Sequence, residues 1–198
     1  MVQASSNLII KKIYTLKRII RRFWRHHQNQ IAFDIRRRGG YITKSSDLNI
    51  EGEFYFGESL IISSYGVDVV ENSHITVCEN ATLSFGNYSG ISSSSIYCAE
   101  KVEIGNYVNI GAGCFIMDTN FHSTNWRHRI DRNIDIANAR TAPVKIDDFV
   151  FVGARSIICK GVHIGEHSII SAGSVVVKDV PSNQVWGGNP AVFIKYVE

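Results

Sequence analysis

Cysteine is sparse in this 198-residue chain and never clustered: Cys78, Cys98, Cys114 and Cys159 stand far apart, with no Cys-x-x-Cys pair. That spacing excludes a disulfide-stapled scaffold and the common paired-cysteine metal and redox sites. Each cysteine lies inside an apolar-periodic stretch, so four reduced, buried thiols in a cytosolic protein are expected. Long apolar runs are also missing, since nothing approaches the roughly 18 uninterrupted apolar residues of a membrane-spanning helix. Lys and Arg punctuate the apolar positions near the N-terminus, an order that no secretory signal peptide follows. Gly-x-Ser-x-Gly is absent and no cysteine adjoins a histidine, so neither usual nucleophile motif is present.

Acidic residues are scarce in one region only. Residues 8–38 hold ten Lys and Arg against the single acid Asp34, whereas the whole chain has a net charge of +3, so the remainder is net acidic. Within residues 8–24 the apolar positions Ile9, Ile13, Leu16, Ile20, Phe23 and Trp24 recur at helical spacing with cations between them. An amphipathic cationic helix of this kind docks peripherally on an anionic bilayer, or packs its apolar face on the rest of the protein or on a partner subunit. Contact of residues 8–38 with the inner face of a membrane is the favoured reading. No nucleic-acid motif accompanies the charge, and nucleic acid is not an expected partner.

From residue 102 onward aliphatic residues recur every six positions: Ile104, Ile110 and Ile116, then Ile146, Val152, Ile158, Ile164, Ile170 and Val176. The two series stay in phase across residues 121–143, which lack the pattern and read as a loop extruded from a regular stack. Weaker hexads precede them at Phe56, Ile62, Val77, Leu83, Phe85 and Ile91, so coils are expected from about residue 46. A period of six is neither a helical face nor a simple strand. It suits short strands separated by turns, each strand sending one aliphatic side chain to a common axis. Gly105, Gly111, Gly153 and Gly165 follow the aliphatic residue where a Cβ would crowd the backbone. Stacking then buries one continuous column that no coil could bury alone.

This pattern resembles the hexapeptide-repeat acyltransferases over roughly residues 46–195, and the resemblance implies a mainly β, left-handed parallel β-helix. It implies three parts: a basic amphipathic segment at 1–45, the β-helix at 46–180 and a closing segment at 181–198. The stretch from Asp118 to His122 looks like the catalytic-histidine segment of the galactoside, maltose and colanic-acid acetyltransferase branch. His122 is then the general base, suited to take the proton from a sugar hydroxyl attacking a thioester. Asp118 orients that imidazole or caps a turn.

The same resemblance implies acetyl-CoA as co-substrate. Phe151, Gly153 and Ala154 correspond to the strand along the pantetheine arm, with the Ala154 amide facing the thioester oxygen. Family members often carry Ser or another small residue at that position. Ala172 and Val177 belong to the last coils, and Lys178 is placed for the cofactor phosphates. The turn Gly187-Gly188-Asn189-Pro190-Ala191 matches the family's closing signature. Val192 follows where many members have a base, leaving Lys195 as the nearest substitute. Ser92 and Asn120 are candidate acceptor contacts, and Trp126 with Arg127 and Arg129 suits a carbohydrate or a neighbouring subunit.

The function so implied is O-acetylation of a sugar or glycan acceptor, a polysaccharide precursor, by direct attack in a homotrimer. N-acetylation of an amino sugar and acetylation of a xenobiotic are the alternatives. A γ-carbonic-anhydrase-like metal protein is disfavoured, because His163 and His167 are four apart and His122 and His128 six apart, against that family's step of five. No metal is expected.

Overall fold

The structure is a computed structural model that describes residues 26–42, 46–63 and 73–198. The amphipathic stretch 8–24 lies outside the described residues. The chain divides into two units, Met1–Asp34 and Ile35–Glu198. In the first, residues 26–34 are helical. Among the described residues no helix is long and apolar enough to cross a membrane.

The second unit is a coil of short parallel strands in which every third strand stacks on its predecessor. The first face runs through Tyr41–Ile42, Ile61–Ser63, Gly90–Ser92, Asn109–Ile110, Phe151–Val152, Ile169–Ile170 and Gln184–Gly188. The second includes Ser95–Cys98, Phe115–Met117, Ile157–Ile158 and Val175–Val176, and the third Lys101–Ile104, Val144–Ile146 and His163–Ile164. Three faces per turn, all parallel, make a triangular β-helix. Its first strand pair joins Tyr41 to Ile61 and Ile42 to Ile62, a few residues before the boundary read from the sequence.

The hexad positions are the core. Ile104, Ile110, Ile116, Ile146, Val152, Ile158, Ile164, Ile170 and Val176 are each at most 3% exposed. Burying such a side chain stabilises by about 1.5–3 kcal/mol. The expectation of one inward residue per strand was too low. Strand side chains alternate, so the residue two positions earlier also points inward. Val102, Val108, Cys114, Val150, Ser156, Val162, Ser168 and Ser174 fill this second column and are buried. The serines enter it by bonding to backbone, Ser156 Oγ to the Gly153 carbonyl and Ser168 Oγ to the Pro181 carbonyl, both at 2.7 Å.

At the corner between the third and first faces, Asn87 Oδ1 accepts from Glu58 N, Asn106 Oδ1 from Asn87 N and Asp148 Oδ1 from Asn106 N, at 2.7–2.8 Å. A Cβ on Gly105 would lie 2.3 Å from Asp148 Oδ1, so only glycine lets that ladder form. The next residues, Tyr88, Tyr107, Phe149 and His167, all adopt φ between 55° and 62°. Their rings stack at successive spacings of 5.0, 4.9 and 5.2 Å. Stacking of this kind offsets the left-handed backbone that glycine would have adopted without strain.

The last coil turns back as an antiparallel hairpin, Gln184–Gly188 against Ala191–Tyr196. Trp186 is buried in it, with Lys178 Nζ 5.2 Å over its ring. The expectation of four buried thiols was half right: Cys98 and Cys114 are buried, whereas Cys78 and Cys159 are partly exposed.

Candidate active site

The segment between Met117 and Val144 leaves the coil at the corner of the second and third faces. Its stem is fixed by a Thr119–Thr141 bridge, by Asn120 N to the Arg140 carbonyl at 3.0 Å and by Ala142 N to the Asp118 carbonyl at 2.9 Å. The segment carries structure of its own, a 3-10 turn His128–Ile130 and a short helix Arg132–Ala137. Asp131 caps that helix, its carboxylate accepting from Asn133 N and Ile134 N.

The two readings of Asp118 are now separated. Its carboxylate is fully buried and accepts the backbone N–H groups of Ala99, Glu100 and Lys101, each at 2.7 Å. It caps the corner of the preceding coil. The partner of His122 is instead Asp135, whose Oδ2 lies 2.6 Å from His122 Nδ1. Asp135 Oδ1 accepts Ser123 N at 2.8 Å, so both carboxylate oxygens are engaged. A carboxylate can only accept, so Nδ1 carries the proton, and in the neutral imidazole the lone pair is on Nε2. The hydrogen bond from His122, followed by that from Ser123, holds the Asp135 carboxyl below the usual carboxylate range. The Asp135 side chain is 9% exposed and that of His122 68%, which puts the carboxylate inside and most of the imidazole outside.

Sequence reasoning missed Asp135. Its only local signal is Asp131, a helix-capping residue that starts the turn carrying it.

A cleft of about 430 Å³ opens between this segment and the outer side of the second face. His122, Asp135, Arg132 and Ile136 line one wall, and Cys78, Tyr97 and Phe121 are among the residues lining the rest. Tyr97 and Phe121 meet edge to face at 4.7 Å. The tyrosine hydroxyl is pushed up to about 12, chiefly by its hydrogen bond with Cys78 and by burial, so it stays a neutral donor.

The cofactor candidates lie elsewhere on the coil. Gly153, Ala154 and Ala172 stack at the corner of the first and second faces, where Gly173 N donates to the Ala154 carbonyl at 2.8 Å. A Cβ on Gly153 would come within 2.5 Å of Ala172 N, and one on Gly111 within 2.7 Å of Ala154 N. The amides of Ala154 and Ala172 donate to no group among the described residues. Phe151 points outward from the first face, 47% exposed. Val177 and Lys178 follow the strand Val175–Val176, toward the third face. Lys195 is on the closing hairpin, 3.4 Å from Glu198.

None of the three acceptor candidates lines the cleft. Ser92 ends a strand of the first face, and Asn120 is in the stem of the extruded segment. Trp126 is 58% exposed with Arg127 stacked 4.6 Å over its ring. Among the described residues no group of three His, Cys, Asp or Glu side chains is placed to hold a metal ion. His163 pairs with Asp147 at 2.6 Å, while His167 stacks on Phe149.

Residues 143–178 match the family model described as bacterial transferase hexapeptide (six repeats). That stretch of the chain is a hexapeptide repeat. The triangular coil is the left-handed parallel β-helix of that repeat. Among sequences it is 50% identical over 56 residues to the 2,3,4,5-tetrahydropyridine-2,6-dicarboxylate N-acetyltransferase of Clostridium perfringens, covering 28% of this chain and 24% of the relative. The chain therefore spans about a quarter of the length of the curated relatives it matches. Among solved structures it is similar to a maltose O-acetyltransferase from Clostridium difficile, at 27% identity over 77% of this chain and 67% of the other, with a TM-score of 0.51. A variant of AntD, an N-acyltransferase from Bacillus cereus in complex with dTDP and coenzyme A, shares the fold. Its TM-score is 0.64 at 20% identity, over 80% of this chain and 81% of the other.

Proposed function

We propose that this protein is an acetyl-CoA-dependent acetyltransferase that acetylates a hydroxyl of a sugar or polysaccharide precursor, with His122 as general base. The observation carrying this reading is the 2.6 Å contact of His122 Nδ1 with Asp135, which fixes the tautomer and leaves Nε2 free at a cleft. As the acceptor oxygen bonds to the thioester carbon, Nε2 takes its proton. The tetrahedral oxyanion then collapses, the C–S bond breaks, and the imidazolium returns the proton to the CoA thiolate. No acyl-enzyme is needed. The unengaged amide of Ala154 is the candidate oxyanion donor, and the small residues Gly153 and Ala172 admit the pantetheine arm against backbone. Lys178 and Lys195 are the cations assigned to the CoA phosphates, and Phe151 and Val177 the apolar contacts along the arm.

His122 and the Ala154–Ala172 corner belong to different corners of one coil, so a complete site draws on two copies of the chain. A homotrimer satisfies this three times over. The cationic segment 8–38 is assigned peripheral contact with the inner face of a membrane, where a lipid-linked acceptor would be found.

An amine acceptor is the second reading, favoured by the 56-residue match to an N-acetyltransferase. Thiol release from acetyl-CoA with paired sugars and amino sugars tests both, and base lability of the product separates an ester from an amide. Turnover lost in His122→Ala with CoA binding retained is the expected result. A folded wild-type chain that neither binds acetyl-CoA nor releases thiol overturns the proposal.

A further inference from the structure

The acceptor side of the cleft has a charge that the acetyl-transfer chemistry does not use. Arg132 and Asp135 are three residues apart in the short helix Arg132–Ala137, a spacing that puts both side chains on one face. Asp135 has its two oxygens committed to His122 and Ser123. Arg132 lines the same cleft and makes no ion pair or hydrogen bond among the described residues. The other arginine near the dyad, Arg129, is occupied, its Nη1 donating to the Ser123 carbonyl at 2.7 Å. Apart from the engaged Asp135 carboxylate, the lining around Arg132 holds no acidic side chain: Tyr97 and Phe121 offer ring edges, and Ile136 and Ala139 offer apolar surface. An unengaged guanidinium beside a proton-accepting imidazole would repel a cationic substrate. It presents a planar fork of donors to carboxylate, phosphate or sulfate oxygens.

We propose that the acceptor carries an anionic oxygen group, and that Arg132 is the specificity-determining residue that binds it. This rests on the acetyl-transfer reading for its chemistry, while the anion contact stands on the cleft alone. Arg132 holds the anion and leaves proton transfer to His122, so its loss acts on KM and spares kcat.

The test uses the full chain and matched probes: glucose against glucuronate and glucose 6-phosphate, with acetyl-CoA as donor, for wild type, R132Q and R132K. At least a tenfold higher kcat/KM for an anionic member is expected, abolished in R132Q through KM and partly kept in R132K. Glucuronate and glucose 6-phosphate distinguish a carboxylate from a phosphate ester. Equal use of neutral and anionic members, or a preference that survives R132Q, overturns the proposal. A second readout needs no turnover: the His122 ring resonances are followed by NMR during titration with each probe in the presence of CoA. A saturable shift with an anionic probe, absent with glucose and in R132Q, supports the anion contact even where thiol release fails. No such shift with either anion overturns it, whether or not acetyl transfer is found.

Discussion

The substitution that bears most directly on the site is Asp135→Asn, because the outcome follows from which oxygen faces which donor. Oδ1 accepts the backbone N–H of Ser123 at 2.8 Å, and Oδ2 faces His122 Nδ1 at 2.6 Å. A backbone N–H cannot change its character, so the carboxamide must keep its oxygen on Ser123 and turn its NH2 toward His122. The imidazole then has to accept at Nδ1, which places its proton on Nε2, the nitrogen that should receive one from the acceptor. General-base catalysis contributes about 10²- to 10⁴-fold. With its side chain 68% exposed, His122 can recover some competent tautomer by bonding to water instead, so the lower part of that range applies. A fall in kcat of about 10²- to 10³-fold is expected from thiol-release kinetics, with the KM for acetyl-CoA unchanged and the melting curve close to wild type. Combined with His122→Ala, the substitution should cost nothing more, because both remove one function. A kcat for Asp135→Asn within threefold of wild type would refute the assignment of Asp135 as the positioning residue.

Tyr107→Ala removes two stacking contacts at about 0.5–1.5 kcal/mol each but keeps φ near 55°, so denaturant unfolding should show a loss of about 1–3 kcal/mol. Tyr107→Gly should lose roughly 1 kcal/mol less, since glycine adopts that backbone freely. The Asp135 carboxyl has its folded pKa lowered, so its contribution to stability is complete above the unfolded value near 4 and is lost as pH falls through the lower folded value. The melting temperatures of wild type and Asp135→Ala should therefore converge on acidification below about pH 4. Burial and the nearby Asp118 carboxylate push the Cys98 thiol up to about 12, so iodoacetamide at pH 8 should alkylate the part-exposed Cys78 and Cys159 well before Cys98. Peptide mapping reads the order, and modification of Cys78, which lines the cleft, should block turnover. The full chain should co-sediment with anionic vesicles and be released by salt, and binding equally to neutral vesicles would refute the electrostatic reading of residues 8–38.

The aliphatic column was legible because its chemistry is uniform: every coil must send a β-branched or leucine-like residue to the axis, so Ile146 through Val176 repeat without a slip. The second inward column was not legible, because it accepts Val, Cys and Ser alike once a serine hydroxyl can bond the backbone, as Ser156 does. His122 is singled out by its segment, but the Asp135 it contacts is not. The contact spans 13 residues and depends on a six-residue helix whose placement is set by packing in the extruded segment. The aromatic ladder was missed for a related reason. Tyr88 and Tyr107 follow Gly-Asn, Phe149 follows Asp-Asp and His167 follows Gly-Glu, yet the spacings between them are unequal until the coil lengths and the excised segment are known.

Why should chemistry reside on the irregular excursion of such a regular scaffold? The strand Val144–Ile146 pairs with Lys101–Ile104 below and His163–Ile164 above, so the coil resumes in register after the excursion as though nothing had been inserted. The cost of closing a longer loop grows only with the logarithm of its length, and here both ends are held by the rigid stack. Asp118 supplies the detail that makes this work, since its carboxylate takes the three backbone donors of the corner beneath at the point where the chain departs. The β-helix axis needs aliphatic residues in every coil and has little room for catalytic variation. The excursion is free of that demand, and it is where His122, its partner Asp135 and the unengaged Arg132 are brought together. Change in acceptor preference is therefore expected to map to residues 118–143, while the small residues of the Ala154–Ala172 corner stay fixed by the backbone contacts that a Cβ at Gly111 or Gly153 would break.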